Sequence, residues 1–241
     1  MKIPRVLVTG PVGELDEWCA AARGVGWEAL AWPLIEIEEL APTEEQARAL
    51  AAAPPEHLCV TSAHAIAFLE ALAQALPALR TLPCSIVGER SVGRLRAQGF
   101  RGSIGWHSNA EALREELFAR RPRPARVLWP RGDRSDELAR ALREAGMSVD
   151  DPLAYRNRRR AAGERAPEAE LVFFASPSAV SAWTEAGVPH PAQRALAIGP
   201  STLQALLSGK TLPFFDIISL PEPSSSSFAA ALQHLDLRST P

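Results

Sequence analysis

Two phrases of this 241-residue chain occur twice, in the same order and at nearly the same separation. Thr61-Ser62-Ala63-His64-Ala65-Ile66 returns 114 positions later as Ala175-Ser176-Pro177-Ser178-Ala179-Val180. Ile86-Val87-Gly88-Glu89-Arg90-Ser91 returns 111 positions later as Ala197-Ile198-Gly199-Pro200-Ser201-Thr202. Such a duplication predicts two structural units of similar build, each offering two polar turns. Two similar lobes facing one another make a cleft, which narrows the range of functions.

Short apolar runs alternate with amphipathic stretches along the whole chain. Val6-Leu7-Val8 reads as a strand turning at Gly10-Pro11, and a helix from about Glu14 to Arg23 is stopped by Gly24 and Gly26. Trp27 to Ala31 and Leu58 to Val60 read as strands. The latter feeds Thr61-Ser62 and a helix carrying Ile66, Leu69, Leu72 and Leu76 at helical spacing. Ser85 to Val87 is a further strand, with Gly88 at its turn and a helix from about Ser91 to Gln98. Val127-Leu128-Trp129 leads into Pro130-Arg131-Gly132-Asp133 and a helix through Leu138, Leu142 and Ala145 that stops at Gly146. Val149 to Ala154 reads as one strand ended by Tyr155. Leu171 to Phe174 and Ala195 to Ile198 are strands preceding helices at Pro177 and Ser201, and the polar helix starts at Asn109 and Ser224 also correspond.

Strands alternating with helices predict an α/β fold: two similar three-layer domains with parallel sheets covered on both faces. In such sheets the crossovers are right-handed and ligands sit beyond the carboxyl ends of the strands, where the polar turns fall. Pro-rich or charged connectors occur near Glu36 to Pro42, Arg120 to Pro124 and Arg156 to Ala166, the first and third being candidate crossings between domains.

With 46% hydrophobic and 22% charged residues, each half can bury a core of its own. A net charge of −2 gives no basic field for nucleic acid or an anionic membrane. No apolar run is long enough to span a bilayer, and Met1 runs straight into a strand-like segment without a signal peptide. Cys19, Cys59 and Cys84 are odd in number and form no C-x-x-C pair, so they read as buried thiols of a cytoplasmic protein.

The polar turns carry the chemistry. Ser176 before Pro177 is a helix start, with serine as the capping acceptor and proline at the first helical position. Thr61-Ser62 is expected to cap likewise, and Ser91 and Thr202 follow Gly88 and Gly199 by three residues. Free amides and the dipole at helix starts attract anions, carboxylates included. Capping alone accounts for any one of these residues; four such turns on duplicated lobes point to a shared anion site. Other features have plainer readings. His57, His64, His107, His190 and His234 lack metal-ligand spacing and read as packing or surface residues. Gly24-Val25-Gly26 follows a helix and lacks a third glycine, so it is not a dinucleotide fingerprint, and no Walker A motif or nucleophile elbow occurs. Asp133, Asp136 and Glu137 suit the dipole at a helix start, Ser224 to Ser227 a polar loop and cap, and Arg156 to Arg160 a solvated linker. Tyr155 is the single tyrosine, and its phenol, with an ordinary pKa of about 10, is a proton donor at neutral pH.

In order and spacing, these segments resemble the uroporphyrinogen-III synthase family over nearly the whole chain. The resemblance rests on Val6-Leu7-Val8-Thr9 with Pro11, Pro33-Leu34-Ile35-Glu36-Ile37, Val60-Thr61-Ser62, and Val87-Gly88 with Ser91. It continues through Pro130-Arg131-Gly132-Asp133, Tyr155, Phe174 to Val180, and Ile198-Gly199-Pro200-Ser201-Thr202. The resemblance implies a discontinuous domain of residues 1–36 plus 163–241, a second domain of 41–154, and a two-stranded connector at 37–40 and 155–162, with the ligand cleft between the domains. It implies a monomer that converts hydroxymethylbilane to uroporphyrinogen III, closing the ring with loss of water and inversion of the last pyrrole, in haem, sirohaem or related biosynthesis. No metal or organic cofactor is implied, and handover from hydroxymethylbilane synthase is a possible partnership. By the same resemblance Tyr155 is the catalytic residue. Thr61, Ser62, Ala63, Gly88, Ser91, Arg131, Ser176, Pro177, Ser178, Gly199, Ser201 and Thr202 are the expected substrate-binding set. The chain departs from many members at Gly10, where they have arginine, and at His64, where they have asparagine; Arg131 is a candidate to replace the missing arginine. These departures leave an alternative, a non-catalytic two-lobe relative that binds a tetrapyrrole or another polyanion. Tyr155, Thr202 and Ser91 favour the enzyme.

Overall fold

The computed structural model describes residues 3–160, 166–186, 194–208, 214 and 216–235. Residues 161–165 of the expected connector and His190 lie outside the described residues. In chain order the elements are β1 (Arg5–Thr9), α1 (Asp16–Gly24), β2 (Glu28–Ala31), β3 (Ile35–Glu39), α2 (Glu44–Ala52), β4 (His57–Val60) and α3 (Ile66–Ala75). There follow β5 (Cys84–Val87), α4 (Glu89–Ala97), β6 (Ile104–His107), α5 (Ala110–Ala119), β7 (Arg126–Leu128), β8 (Arg131–Gly132), α6 (Glu137–Glu144) and β9 (Ser148–Asp150). The last are β10 (Leu153–Arg159), β11 (Leu171–Phe174), α7 (Pro177–Ala186), β12 (Arg194–Ala197), α8 (Pro200–Ser208), β13 (Asp216–Ser219) and α9 (Ser225–His234).

The chain divides into two compact units, Met1–Glu36 with Arg158–Pro241, and Ile37–Asn157. The first holds a sheet of order β13-β12-β11-β1-β2 and the second a sheet of order β6-β5-β4-β7-β9. Every strand pair in both sheets is parallel. Read from β11 to β13 and then β1 and β2, the first sheet has the same strand order as the second. The repeated phrases fall on matching strands: Thr61 follows β4 and Ala175 follows β11, while Gly88 follows β5 and Gly199 follows β12. The weaker correspondence also has a physical basis, since Asn109 and Ser224 both cap helices with their side-chain oxygens.

Parallel strands need long crossovers, and helices packed on both faces leave the central strands dry. β4, β11 and β12 are accordingly buried along their whole lengths. In the first unit Trp18 of α1, Phe173 of β11 and Phe228 of α9 form an aromatic cluster with ring centroids 4.4 to 5.6 Å apart. Phe173 and Phe228 are fully buried, each worth about 1.5–3 kcal/mol in hydrophobic transfer. In the second unit Leu113 and Leu117 of α5 and Leu138 and Leu142 of α6 cover one sheet face with Cys59, Val127 and Val149. Phe68, Leu69 and Leu72 of α3 and Leu95 of α4 cover the other, with Leu58 and Val60. The alternation of Leu58, Cys59 and Val60 between faces is the two-residue strand period.

A third, small sheet has the order β3-β10-β8. Leu40 N–H donates to Ala154 O and Arg160 N–H to Leu34 O, both at 2.9 Å, so β3 and β10 run antiparallel. Two expectations are corrected here. Val149 to Ala154 is not one strand: Pro152, which has no N–H, separates β9 from β10. Tyr155 therefore lies inside a strand, and the arginine run, solvent-exposed from Arg158 onward as expected, is strand up to Arg159 and not a linker. Pairing with β3, which extends to the Arg160–Leu34 bond, overrides the low strand propensity of that run.

Beneath α5 lies a buried polar chain. His57 Nε2 is 2.9 Å from Ser85 Oγ, which donates to Glu116 Oε2 at 2.8 Å; Glu116 also pairs with Arg120. Because the Ser85 proton goes to Glu116, His57 Nε2 must itself be the donor. The carboxylate touches the serine and not the imidazole, so this is not the arrangement of a hydrolase triad. Burial, followed by the positive charge of Arg120, pushes His57 down from 6.5 to about 4. A histidine held neutral in the fold takes up a proton on unfolding below pH 6.5, so its contribution is complete above that value and is lost as pH falls towards 4. Urea unfolding should show about 2 kcal/mol of this pH-linked stability lost between pH 7.5 and 5.0. His57→Gln should remove that component, and an unaltered pH profile in the variant would refute the assignment.

Candidate functional site

All strands of a parallel sheet end on one edge, and the turns singled out from the sequence lie on those edges. In the second unit the edge carries the Thr61–Ala65 turn after β4 and Gly88 after β5. Ser62, in extended backbone, accepts the His64 N–H at 3.3 Å and caps the short 3-10 turn Ala63–Ala65 that leads into α3. Thr61 does not cap. Its hydroxyl accepts the Trp129 indole N–H at 3.0 Å, which keeps the Thr61 proton for donation. An open cavity of about 370 Å³ adjoins this pair, lined by Thr61, Trp129, Glu111, Arg114, Ser135 and Leu138 among others. Gly88 precedes the first turn of α4 in the left-handed conformation (φ 83°), and Ser91 N–H donates to its carbonyl at 3.1 Å.

Tyr155 reaches the same turn from β10. Its ring is half-buried against the α3 core, 5.3 Å from the His64 ring at an interplanar angle of 57°. It is the register partner of Gly132 in β8, and the phenol lies directly over that glycine. Next to Gly132, Asp133 Oδ1 accepts both the backbone N–H (3.1 Å) and the side-chain N–H (3.0 Å) of Asn157. Burial raises the Asp133 carboxyl, but these bonds outweigh it and hold the group below the usual carboxylate range. Arg131 turns to its own surroundings: Nε donates to Asp151 at 2.8 Å and Nη1 to the Gly132 carbonyl at 3.1 Å. Arg143 pairs with the same aspartate.

In the first unit the equivalent edge carries Ser176 after β11 and Gly199 after β12. Ser176 Oγ accepts the Ala179 N–H at 3.2 Å and lies 2.9 Å from Ser178 Oγ, and Pro177 opens α7. Thr202 N–H donates to Gly199 O at 3.1 Å in the first turn of α8, while Ser201 is exposed. The Thr202 hydroxyl is fully buried and has no hydrogen-bond partner among the described residues. Gly10, at the end of β1, is closely packed: a Cβ there would lie 3.0 Å from Leu15 Cδ2 and 3.1 Å from Ala175 Cβ. An arginine in this position would have to displace both neighbours.

The structure thus gathers Thr61, Ser62, Ala63 and Tyr155 around one turn of the second unit, and Ser176, Pro177, Ser178, Gly199, Ser201 and Thr202 on one edge of the first. Sequence reasoning missed His64, Trp129 and Gly132 as neighbours of these residues. The repeated phrase placed His64 in the right turn, but its contact with Tyr155 spans a sequence distance that leaves no local pattern. The three cysteines are buried and free, and burial drives Cys59 well up and Cys84 to about 12, which leaves no thiolate nucleophile at neutral pH. Among the described residues no group of three His, Cys, Asp or Glu side chains could hold a metal ion, and no helix is long and apolar enough to cross a membrane.

Solved structures of similar fold include a mutant uroporphyrinogen III synthase from the extremely thermophilic bacterium Thermus thermophilus, with a TM-score of 0.65 and 21% identity, covering 96% of this chain and 100% of that one. Uroporphyrinogen-III synthetase from Helicobacter pylori superposes with a TM-score of 0.61 at 18% identity, covering 94% of this chain and 97% of that one. At these identities the likeness is one of fold. No curated protein matches the sequence. The model of a family described as uroporphyrinogen-III synthase HemD matches residues 16–211, and with most of its length inside that match the chain belongs to the uroporphyrinogen-III synthase family.

Proposed function

We propose that the turns on the carboxyl edges bind the carboxylates of hydroxymethylbilane and that Tyr155 assists the departure of its hydroxyl group. The chain acts as a uroporphyrinogen-III synthase, a cyclising lyase of tetrapyrrole biosynthesis. Its substrate is a linear polycarboxylate whose electron-rich pyrroles expel hydroxide readily and, undirected, close to the type I isomer. Control of conformation therefore matters more than strong acid or base, which makes the reaction one of positioning and differential binding. The helix-start positions of Ser62, Ser91 and Ser176 support this reading, because amides and hydroxyls there suit carboxylates, whereas the Thr202 hydroxyl is buried and rests on the family resemblance alone.

The observation that carries the role of Tyr155 is its setting. A half-buried phenol is fixed against the backbone of Gly132 beside the Thr61–Ala65 turn, next to the His64 ring. As the C–O bond of the hydroxymethyl group breaks, the phenol proton passes to the leaving oxygen and water departs; the proton lost from the terminal pyrrole's free α-carbon on ring closure restores the phenol. The terminal pyrrole then attacks through a spiro intermediate that inverts the ring. Direct handover from hydroxymethylbilane synthase suits a substrate that otherwise closes unaided, and the three unpaired buried thiols suit a reducing cytoplasm.

Freshly generated hydroxymethylbilane, with chromatographic resolution of type III and type I products, tests the function. Type III product is expected; type I alone at the spontaneous rate would leave a non-catalytic binding relative. Tyr155→Phe should lower turnover by roughly a hundredfold with an unchanged unfolding midpoint, and unchanged turnover would remove its catalytic role. Thr202→Val should raise stability by about 1 kcal/mol, because it removes a buried unpaired hydroxyl, while weakening substrate binding. A variant that binds as tightly as the parent would mark Thr202 as structural.

A further inference from the structure

We infer that Gly132 is a positioning residue: its missing side chain, with the His64 ring as a second wall, sets the direction of the Tyr155 hydroxyl. A Cβ built on Gly132 would lie 2.6 Å from both Cε2 and Cζ of Tyr155 and 2.9 Å from its hydroxyl oxygen. Carbon atoms in contact sit about 3.5–4.0 Å apart, so the ring occupies the space that any other residue would fill. The His64 ring approaches to 5.3 Å between centroids. Both strands are pinned close by, because Asp133 holds the backbone and side chain of Asn157. Sliding of β10 past β8 therefore cannot relieve a clash at Gly132.

The geometry acts on one degree of freedom. The phenol oxygen lies on the axis of the ring, so a ring flip leaves it in place and only a swing about χ1 moves it. Gly132 meets the ring at Cζ and the hydroxyl, the end that such a swing displaces most. The backbone of Gly132 is not in the left-handed region that only glycine adopts freely, so alanine is obstructed there by Tyr155 and not by its own φ. Gly132 touches no reacting atom in this account; it acts through the tyrosine.

This inference rests on the role proposed for Tyr155, but its first test does not. Tyr155 is the only tyrosine, so 3-fluorotyrosine incorporated into the whole chain gives a single fluorine resonance. Gly132→Ala should shift that resonance and His64→Ala should shift or broaden it. Gly93→Ala, where an added Cβ has no neighbour within 4 Å, should leave it in place. A signal indifferent to Gly132→Ala overturns the inference whatever the enzyme does. In the assay with hydroxymethylbilane, Gly132→Ala should lower kcat about tenfold to a hundredfold with little change in KM. Added to Tyr155→Phe it should lower kcat by less than about twofold more, the non-additivity expected of a residue acting through another. Full additivity overturns the inference. A parent protein that makes no type III isomer defeats the function proposed above, yet leaves the fluorine comparison standing. Should Gly132→Ala fail to fold, Tyr155→Ala in the same chain should restore folding by removing the obstacle; failure to restore it also overturns the inference.

Discussion

In an all-parallel sheet every strand delivers its last residue to the same edge, and the rest of this protein depends on that constraint. The strands cannot be joined by tight hairpins, so each is followed by a helix that returns the chain. The helices cover both faces, which leaves β4, β11 and β12 without exposed positions. Polar chemistry is thereby pushed to the strand ends, where Ser62 and Ser176 cap the helical turns that follow. A serine that caps a helix and a serine that meets a carboxylate are, in such a fold, in the same place.

The two units use this plan in one strand order. β4, β5, β6, β7 and β9 correspond to β11, β12, β13, β1 and β2, and the helices follow the same scheme. α5 and α6 cover the face of one sheet that α9 and α1 cover on the other. The cores are filled differently. Leucines dominate between α5, α6 and their sheet, where the first unit stacks Trp18, Phe173 and Phe228. A shared topology has thus been kept while the packing was rewritten, which is possible because cores tolerate different apolar fillings of similar volume.

Features with local causes were legible in the sequence. Ser176-Pro177 marks the start of α7 because serine accepts an N–H that proline's neighbours leave unpaired. Gly26 and Gly146, each with φ of 85°, end their helices where the pattern placed the stops. Strand and helix order followed from periodicity, and the free, buried state of Cys19, Cys59 and Cys84 followed from their number and spacing. What escaped depends on residues distant in sequence. Thr61 looked like a cap until the indole of Trp129 claimed its oxygen. The arginines after Tyr155 are exposed as their charge suggests, but their place in a strand was hidden because charge is read before pairing is known. Gly132 belonged to an ordinary-looking turn, and only the ring lying across it gives the absence of a side chain a meaning. The interior position of Tyr155 in β10 turned on Pro152, which splits the stretch Val149 to Ala154 that was read as one strand.

The first unit is assembled from two lengths of chain separated by all of Ile37–Asn157. β1 pairs with β2 within the first segment, but its other neighbour, β11, belongs to the second. On a ribosome, the early segment therefore emerges with one flank of its middle strand bare and stays so while the entire intervening unit is made. That unit is contiguous and can fold as soon as it is extruded. Biogenesis of this molecule thus has a built-in sequence: the later-numbered unit matures first, and the amino-terminal strands must be kept from unwanted pairing until their partners are translated.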